Sequence, residues 1–354
     1  MMKPLVSVII PSFNRANVIG ETIESLIKQS YANWEAIIVD DGSADNSLEV
    51  IEGFSKYDSR IHCFKRNRMP KGAPVCRNIG IEKAQGHFIV FLDSDDVLAP
   101  WCLESRISIM QGDSSLDFAV FPVLLFNKVP GDLNILWNSF NEKNDLERFL
   151  GSDVPWQTSS PMWKKISLAS HRWDEEALSW QDWEFHIKTL LKGFKYKKIE
   201  TLPDCFIRRG ESERISINNR TEERVKGLER TFIKVARELK VHNSQEKFKN
   251  LLAGDFFIFS ENIIDSRLKI NPLKFYQNAI SLQLISGHLY FRSKQYLKLL
   301  FILNKSKLPL LPGLLYRSAR LLLPKYLVRR ETTFSRVELN INDYKILQKK
   351  LEEV

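Results

Sequence analysis

Leu5-Val-Ser-Val-Ile-Ile10, followed directly by Pro11-Ser-Phe-Asn-Arg15, is the stretch on which the fold turns. An unbroken run rich in Val and Ile marks a strand buried on both faces, the habit of parallel sheets covered by helices. Working outward, Ile19, Ile23, Leu26 and Ile27 recur at helical spacing and predict an amphipathic helix. Trp34-Glu-Ala-Ile-Ile-Val39 reads as a second strand. Leu48, Ile51 and Phe54 line a further helix, and Ile61 to Phe64 is a short third strand. Pro74 to Ala84 predicts a helix that Gly86 stops, and His87-Phe-Ile-Val-Phe-Leu92 a fourth strand. Alternation at this length implies right-handed crossovers and an α/β fold with a mostly parallel sheet flanked by helices.

Further along, Phe118-Ala-Val-Phe-Pro-Val123 is strand-like and Trp183 to Leu191 helical. From Val225 through Leu228, Phe232, Val235 and Leu239 the spacing is helical, and helices are expected as far as Leu303. The change of pattern places a boundary near residues 215–222. It separates an α/β domain of residues 1–218 (halves of about 1–120 and 121–218) from a helical, basic C-terminal region of residues 219–354.

The 354 residues are 44% apolar and 27% charged, a globular composition. Cys63, Cys76, Cys102 and Cys205 form no C-x-x-C pair, which argues against a zinc ribbon or disulfide framework and suits a reducing cytosol. The apolar run at Leu5 is too short for a signal peptide, and no apolar stretch of about eighteen residues predicts a spanning helix. The net charge of +9 is uneven. Residues 266–330 hold thirteen Lys and Arg and no Asp or Glu, which leaves the rest of the chain slightly acidic. Cations interleaved with Leu, Phe and Tyr suit an anionic membrane surface. A solvated basic face is the plainer reading, and nucleic acid is the least favoured partner.

Ligands of a doubly wound sheet sit beyond the carboxyl ends of its strands. There the chain places Pro11-Ser-Phe-Asn-Arg15, Asp40-Asp-Gly-Ser43 and Asp93-Ser-Asp-Asp96. Two acidic clusters at one rim need positive charge between them. A divalent cation is the simplest source, and hard carboxylate oxygens favour Mg²⁺ or Mn²⁺. Such an ion suits a diphosphate substrate. The chain has neither a G-x-x-x-x-G-K-[ST] loop nor a G-x-G-x-x-G after its first strand, which removes P-loop and dinucleotide readings. Taken alone, Asp-Gly-Ser also reads as a turn and helix cap.

These motifs, with Arg77-Asn-Ile-Gly80, Arg172-Trp-Asp-Glu175, Gln181-Asp-Trp-Glu184 and Lys192-Gly-Phe-Lys195, resemble the family 2 glycosyltransferases in order and spacing over about residues 5–215. The resemblance implies a GT-A fold and an inverting transfer from a nucleotide-diphosphate sugar, UDP favoured, to a saccharide or lipid-linked acceptor. It further implies polysaccharide or glycolipid synthesis in the cytoplasm or at the inner face of the cell membrane.

By the same resemblance, Asp41 meets the base of the nucleotide, Phe13 lies against its ring and Pro11 shapes the loop, with Asn14, Arg15, Asp40 and Ser94 also around the donor. Asp95 holds the metal, and Asp93 or Asp96 supports it or touches the ribose. Asp182 is the general base. Arg77 either binds diphosphate or pairs with a carboxylate. Trp180 and Trp183 are candidate ligand contacts, although most of the tryptophans are expected in the core. The chain departs from the family in two places. Gln181 replaces a usual Glu, which is expected to lower the pKa of Asp182. The stretch Phe206 to Ser216 lacks a usual His, so Arg208, Arg209 or Arg214 is expected to meet the diphosphate. Rival readings are a sugar nucleotidyltransferase and a catalytically degenerate nucleotide-sugar-binding module.

Overall fold

The computed structural model describes residues 3–137, 139–209, 221–266, 268–305, 322–328 and 337–353. The expected boundary at residue 218, Arg214 and residues 267, 306–321 and 329–330 of the basic stretch 266–330 lie outside them. Strands β1 (Val6–Ser12), β2 (Trp34–Asp40), β3 (Ile61–Lys65) and β4 (Phe88–Phe91) alternate with helices α1 (Ile19–Ile27), α2 (Ser47–Tyr57) and α3 (Ala73–Lys83). Next come β5 (Val97–Leu98), α4 (Cys102–Gly112), β6 (Phe118–Val120), β7 (Val123–Phe126), β8 (Ile135–Leu136), α5 (Asp145–Leu150) and β9 (Pro161–Lys164). Helix α6 (Gln181–Leu191), β10 (Tyr196–Lys198) and β11 (Cys205–Arg208) complete the α/β part. Helices α7 (Glu222–Val241), α8 (Gln245–Asp265), α9 (Pro272–Ser281) and α10 (Gly287–Lys305) follow, with α11 (Ile341–Glu352) near the C-terminus.

The main sheet has the order β10-β6-β9-β4-β1-β2-β3, parallel except for β9, which runs against both neighbours. Every residue of β1 and β2 is buried, as their apolar runs predict. The strand order reverses between β1 and β4, so the crevice at their carboxyl ends is a topological switch point. A second sheet, β5-β11-β7-β8, stands beside the first.

Two local expectations are corrected. Phe118 to Val123 is not one strand, because the chain leaves the main sheet at Phe121-Pro122 and enters the small one at Val123. Pro122 has no N–H to give a ladder, which suits a break there. Gly86 is not the left-handed stop of α3, since its φ is not positive. It is required by close approach: a Cβ there would lie 2.6 Å from the Ser7 nitrogen and 2.8 Å from the Leu5 carbonyl oxygen. The Gly86 N–H donates to Ser7 Oγ at 2.8 Å.

One hydrophobic cluster runs from Ile9, Val39 and Phe91 of the sheet through Trp183 and Phe185 of α6 to Phe232, Phe256 and Phe275 of the C-terminal helices. Helix α11 covers the small sheet, setting Leu347 among Ala99, Leu124, Phe126 and Phe206. The buried pair Arg106–Asp204, 2.6 Å apart, ties α4 to the start of β11, and Arg106 also donates to the Ser159 carbonyl.

Candidate active site

The loops after β1 and β2 are laced together by short polar side chains. Asn14 takes a left-handed φ of 51°, and its Oδ1 accepts from the Ala44 N–H. Its own N–H donates to Ser43 Oγ, while the Arg15 and Ala16 amides donate to Ser47 and Asp45. Asp40 is consumed by its own turn, accepting from the Gly42 and Ser43 amides and the Ser43 hydroxyl. Asp41 differs. One oxygen takes Arg66 Nε at 2.5 Å and the Cys76 thiol at 3.8 Å, and the other has no partner among the described residues. Pro11 is buried in β1, and Phe13 nearby stands 45% exposed.

After β4, the three aspartates separate. Asp96 turns inward and accepts from the Arg208 amide at 3.1 Å. Asp93, more exposed, accepts from Arg77 Nη2 at 2.7 Å. Asp95 keeps a partly exposed carboxylate 3.9 Å from Arg15 Nε, and Ser94 is buried. The positive charge expected between the acidic loops is thus supplied in part by Arg15, Arg66 and Arg77. Among the described residues no three His, Cys, Asp or Glu side chains gather as a cation cage. Asp95 with Asp93 offers two hard oxygen donors. That fits Mg²⁺ or Mn²⁺, which take few protein ligands and complete their shells with phosphate and water.

Arg77 joins this loop to α6. Its Nη2 holds Asp93, its Nη1 donates to Gln181 Oε1 at 3.1 Å, and its guanidinium lies 4.5 Å over the Trp173 ring. Asn78 fixes Trp173 from both sides, donating to its carbonyl and accepting from its N–H. Asp182 lies in the first turn of α6 and accepts from the Trp183 amide at 2.9 Å. Burial raises its pKa, against the pull of the Trp183 amide and Arg77 and with a push from Asp93. The pKa-lowering expected from Gln181 is therefore outweighed by desolvation.

The candidate tryptophan contacts are drawn inward. Trp183 is buried and donates its ring N–H to the Phe149 carbonyl, which leaves no face for a ligand. Trp180 has φ 56° and ψ 36°, and packs edge-on against Trp183, Phe232 and Phe259. Arg208 sits at the rim, donating to the Asp95 carbonyl at 3.1 Å and pairing with Glu21. The Arg209 amide donates to the Phe126 carbonyl at 2.7 Å. Sequence reasoning missed Arg66. It stands directly after β3, on the same rim as the loops after β1, β2 and β4, and that position is the signal that could have found it.

Residues 7–167 match the model for "Glycosyl transferase family 2". A Bacillus subtilis (strain 168) protein named for teichuronic acid biosynthesis, the glycosyltransferase TuaG, is 39% identical over 131 residues, 37% of this chain and 52% of its own. The Escherichia coli enzyme WfgD, a UDP-Glc:alpha-D-GlcNAc-diphosphoundecaprenol beta-1,3-glucosyltransferase, is 41% identical over 128 residues, 36% and 49% of the two chains. The chain thus spans about half the length of these relatives. The structure of S. aureus TarS 1–349 in complex with UDP-GlcNAc superimposes with a TM-score of 0.65 at 18% identity, over 91% of this chain and 93% of that one. That likeness extends the shared fold beyond the sheet into the C-terminal helices.

Proposed function

We propose that the protein, whose residues 7–167 match the family 2 glycosyltransferase model, is an inverting, metal-dependent glycosyltransferase of cell-surface polysaccharide or glycolipid synthesis. It moves a hexosyl or N-acetylhexosaminyl group from a UDP-sugar to a hydroxyl of a saccharide or lipid-linked acceptor. The donor nucleotide and the lipid-linked acceptor follow the enzymes to which the chain is similar. We place it in the cytoplasm, at the inner face of the cell membrane, with the basic stretch 266–330 toward the lipid.

The observation that carries this reading is the pair of hydrogen bonds donated by Arg77, one to Asp93 on the donor rim and one to Gln181 beside Asp182. Inversion by single displacement needs a base on one side of the sugar and leaving-group stabilisation on the other. Arg77 holds those two parts of the chain in register. Asp41, with one oxygen anchored by Arg66, offers the other to an N–H of the base, and Phe13 offers its exposed face to the ring. Asp95 and Asp93 would hold the cation, which when bound supplies charge neutralisation for the departing diphosphate. Asp182 takes the proton of the acceptor hydroxyl as it attacks the anomeric carbon. Arg15 and Arg208 add positive charge at the diphosphate end.

Incubation with a panel of nucleotide sugars, Mn²⁺ and candidate acceptors, read as release of the nucleoside diphosphate, tests the proposal. Turnover confined to one donor and abolished by Asp182→Asn is expected. Equal turnover by the variant would remove Asp182 from its role.

A further inference from the structure

Helix α10 has two faces of different character. Ser293, Tyr296, Leu297 and Leu300 recur at helical spacing, are buried and face α8 and α9. Tyr296 donates to Glu261 and Ser293 meets the Tyr276 hydroxyl, so the orientation of the helix is fixed. On the opposite side lie Phe291, Gln295, Leu299 and Ile302, spaced by four, four and three. Phe291 and Ile302 are 62% exposed and Leu299 is 44% exposed. Scattered exposed apolar residues are ordinary, but three aligned on one helical stripe are not.

Cations flank this stripe. Lys298 lies within it, and Arg292 and Lys294 border it on either side. Arg292 Nη2 donates to the Leu322 carbonyl at 2.8 Å, bringing beside α10 a leucine that is itself 64% exposed. Lys294 lies along the Tyr290 ring, its Nζ 5.2 Å from the centroid. No carboxylate side chain occurs anywhere in residues 266–330, so nothing in this stretch repels an anionic surface. No helix among the described residues is long and apolar enough to cross a membrane. Apolar residues at the centre of a face with Lys and Arg at its edges suit a helix lying in the plane of a headgroup layer.

We propose that the outward face of α10, through Phe291, Leu299 and Ile302 with Leu322 beside them, docks on the surface of a bilayer carrying anionic headgroups. This deepens the membrane placement proposed above by naming the surface that makes the contact. It also orients the enzyme, because α10 is packed rigidly on α8 and α9 and so sets which side of the molecule faces lipid.

Flotation of the full chain with vesicles tests it, and the readout is independent of catalysis. At low salt the protein is expected to float with phosphatidylcholine vesicles containing about 30% phosphatidylglycerol and to stay behind with pure phosphatidylcholine. The triple variant Phe291→Ser, Leu299→Ser, Ile302→Ser changes only exposed positions. It is expected to lose about tenfold in vesicle affinity while keeping wild-type helicity, Tm and donor turnover without vesicles. Flotation of the triple variant equal to wild type would overturn the proposal, as would failure of the folded wild type to bind anionic vesicles. Conversion of a dimer to a monomer by the triple variant, with vesicle binding unchanged, would assign the face to a second copy instead. Loss of donor turnover in both proteins would count against the transferase reading and leave the docking result standing.

Discussion

Burial pushes the Asp182 carboxyl upward in pKa, while the Trp183 amide and Arg77 draw it back. A raised carboxyl pKa means that the folded state holds the proton more tightly than the unfolded chain, so the ionised form at neutral pH weakens the fold. Asp182→Asn is therefore expected to lower kcat by about a hundredfold or more, without lowering Tm at pH 7. A pH series on the wild type should place the acid limb of kcat/KM above the ordinary aspartate range. A limb at or below that range would show that charge, not burial, governs the group. At this scale much was legible. Asp41, Asp95 and Asp182 could be singled out because of where they fall relative to strands and motifs. The contrast between Asp40, spent on its own turn, and Asp41, held by Arg66 with an oxygen to spare, could not. Neighbouring residues of one type are told apart only by partners remote in the chain.

At the scale of the element, the start of α6 is the most constrained part of the site. Trp180 is held in a left-handed conformation that a side chain of its size rarely adopts, and the Phe232 and Phe259 rings keep it there. It touches no reacting atom in this reading and acts as a positioning residue for Asp182. Trp180→Ala is expected to lower kcat about tenfold or more while the KM for donor moves less than about twofold, with substantial rescue by Trp180→Phe. Equal losses in kcat and donor affinity would point to general unfolding of the site. Gly86→Ala tests a different element contact, since the new Cβ would press on the backbone of β1. Poor expression or a Tm several degrees lower is expected, and a Tm equal to wild type would refute the close-packing account. Apolar runs and helical spacing revealed most of these elements. They did not reveal the break at Phe121-Pro122, because a buried run reads alike whether it stays in one sheet or passes into a second.

Across the whole molecule, the helices from Glu222 onward share one hydrophobic cluster with the main sheet and reach the start of α6, beside Asp182, through Trp180. Periodicity announced those helices but not what they pack against, because an apolar face is silent about its partner. The shared core also carries a pH signature. Burial draws His171 and His186 down to about 3, with Lys192 and Lys188 assisting at the first and Arg77 at the second. A histidine that is neutral in the fold contributes stability above its unfolded pKa of about 6.5 and loses it as pH falls toward the folded value. Thermal melts should therefore decline in Tm between about pH 6.5 and 4. Among the described residues neither ring nitrogen of His186 has a hydrogen-bond partner, and the ring stacks on Phe149 and Trp163. His186→Phe is accordingly expected to flatten that decline. An unchanged slope would mean that paired carboxylates dominate the acid response.

Titration calorimetry of UDP into the wild type, Asp41→Ala and Asp95→Ala, with and without Mn²⁺, reaches the central claim most directly. Saturable binding that Mn²⁺ tightens in the wild type is expected. Asp41→Ala should weaken it under both conditions, and Asp95→Ala should erase only the Mn²⁺ enhancement. Binding of UDP by both variants with wild-type affinity and wild-type response to Mn²⁺ would contradict the assignment of the nucleotide and its diphosphate to the crevice between β1 and β4.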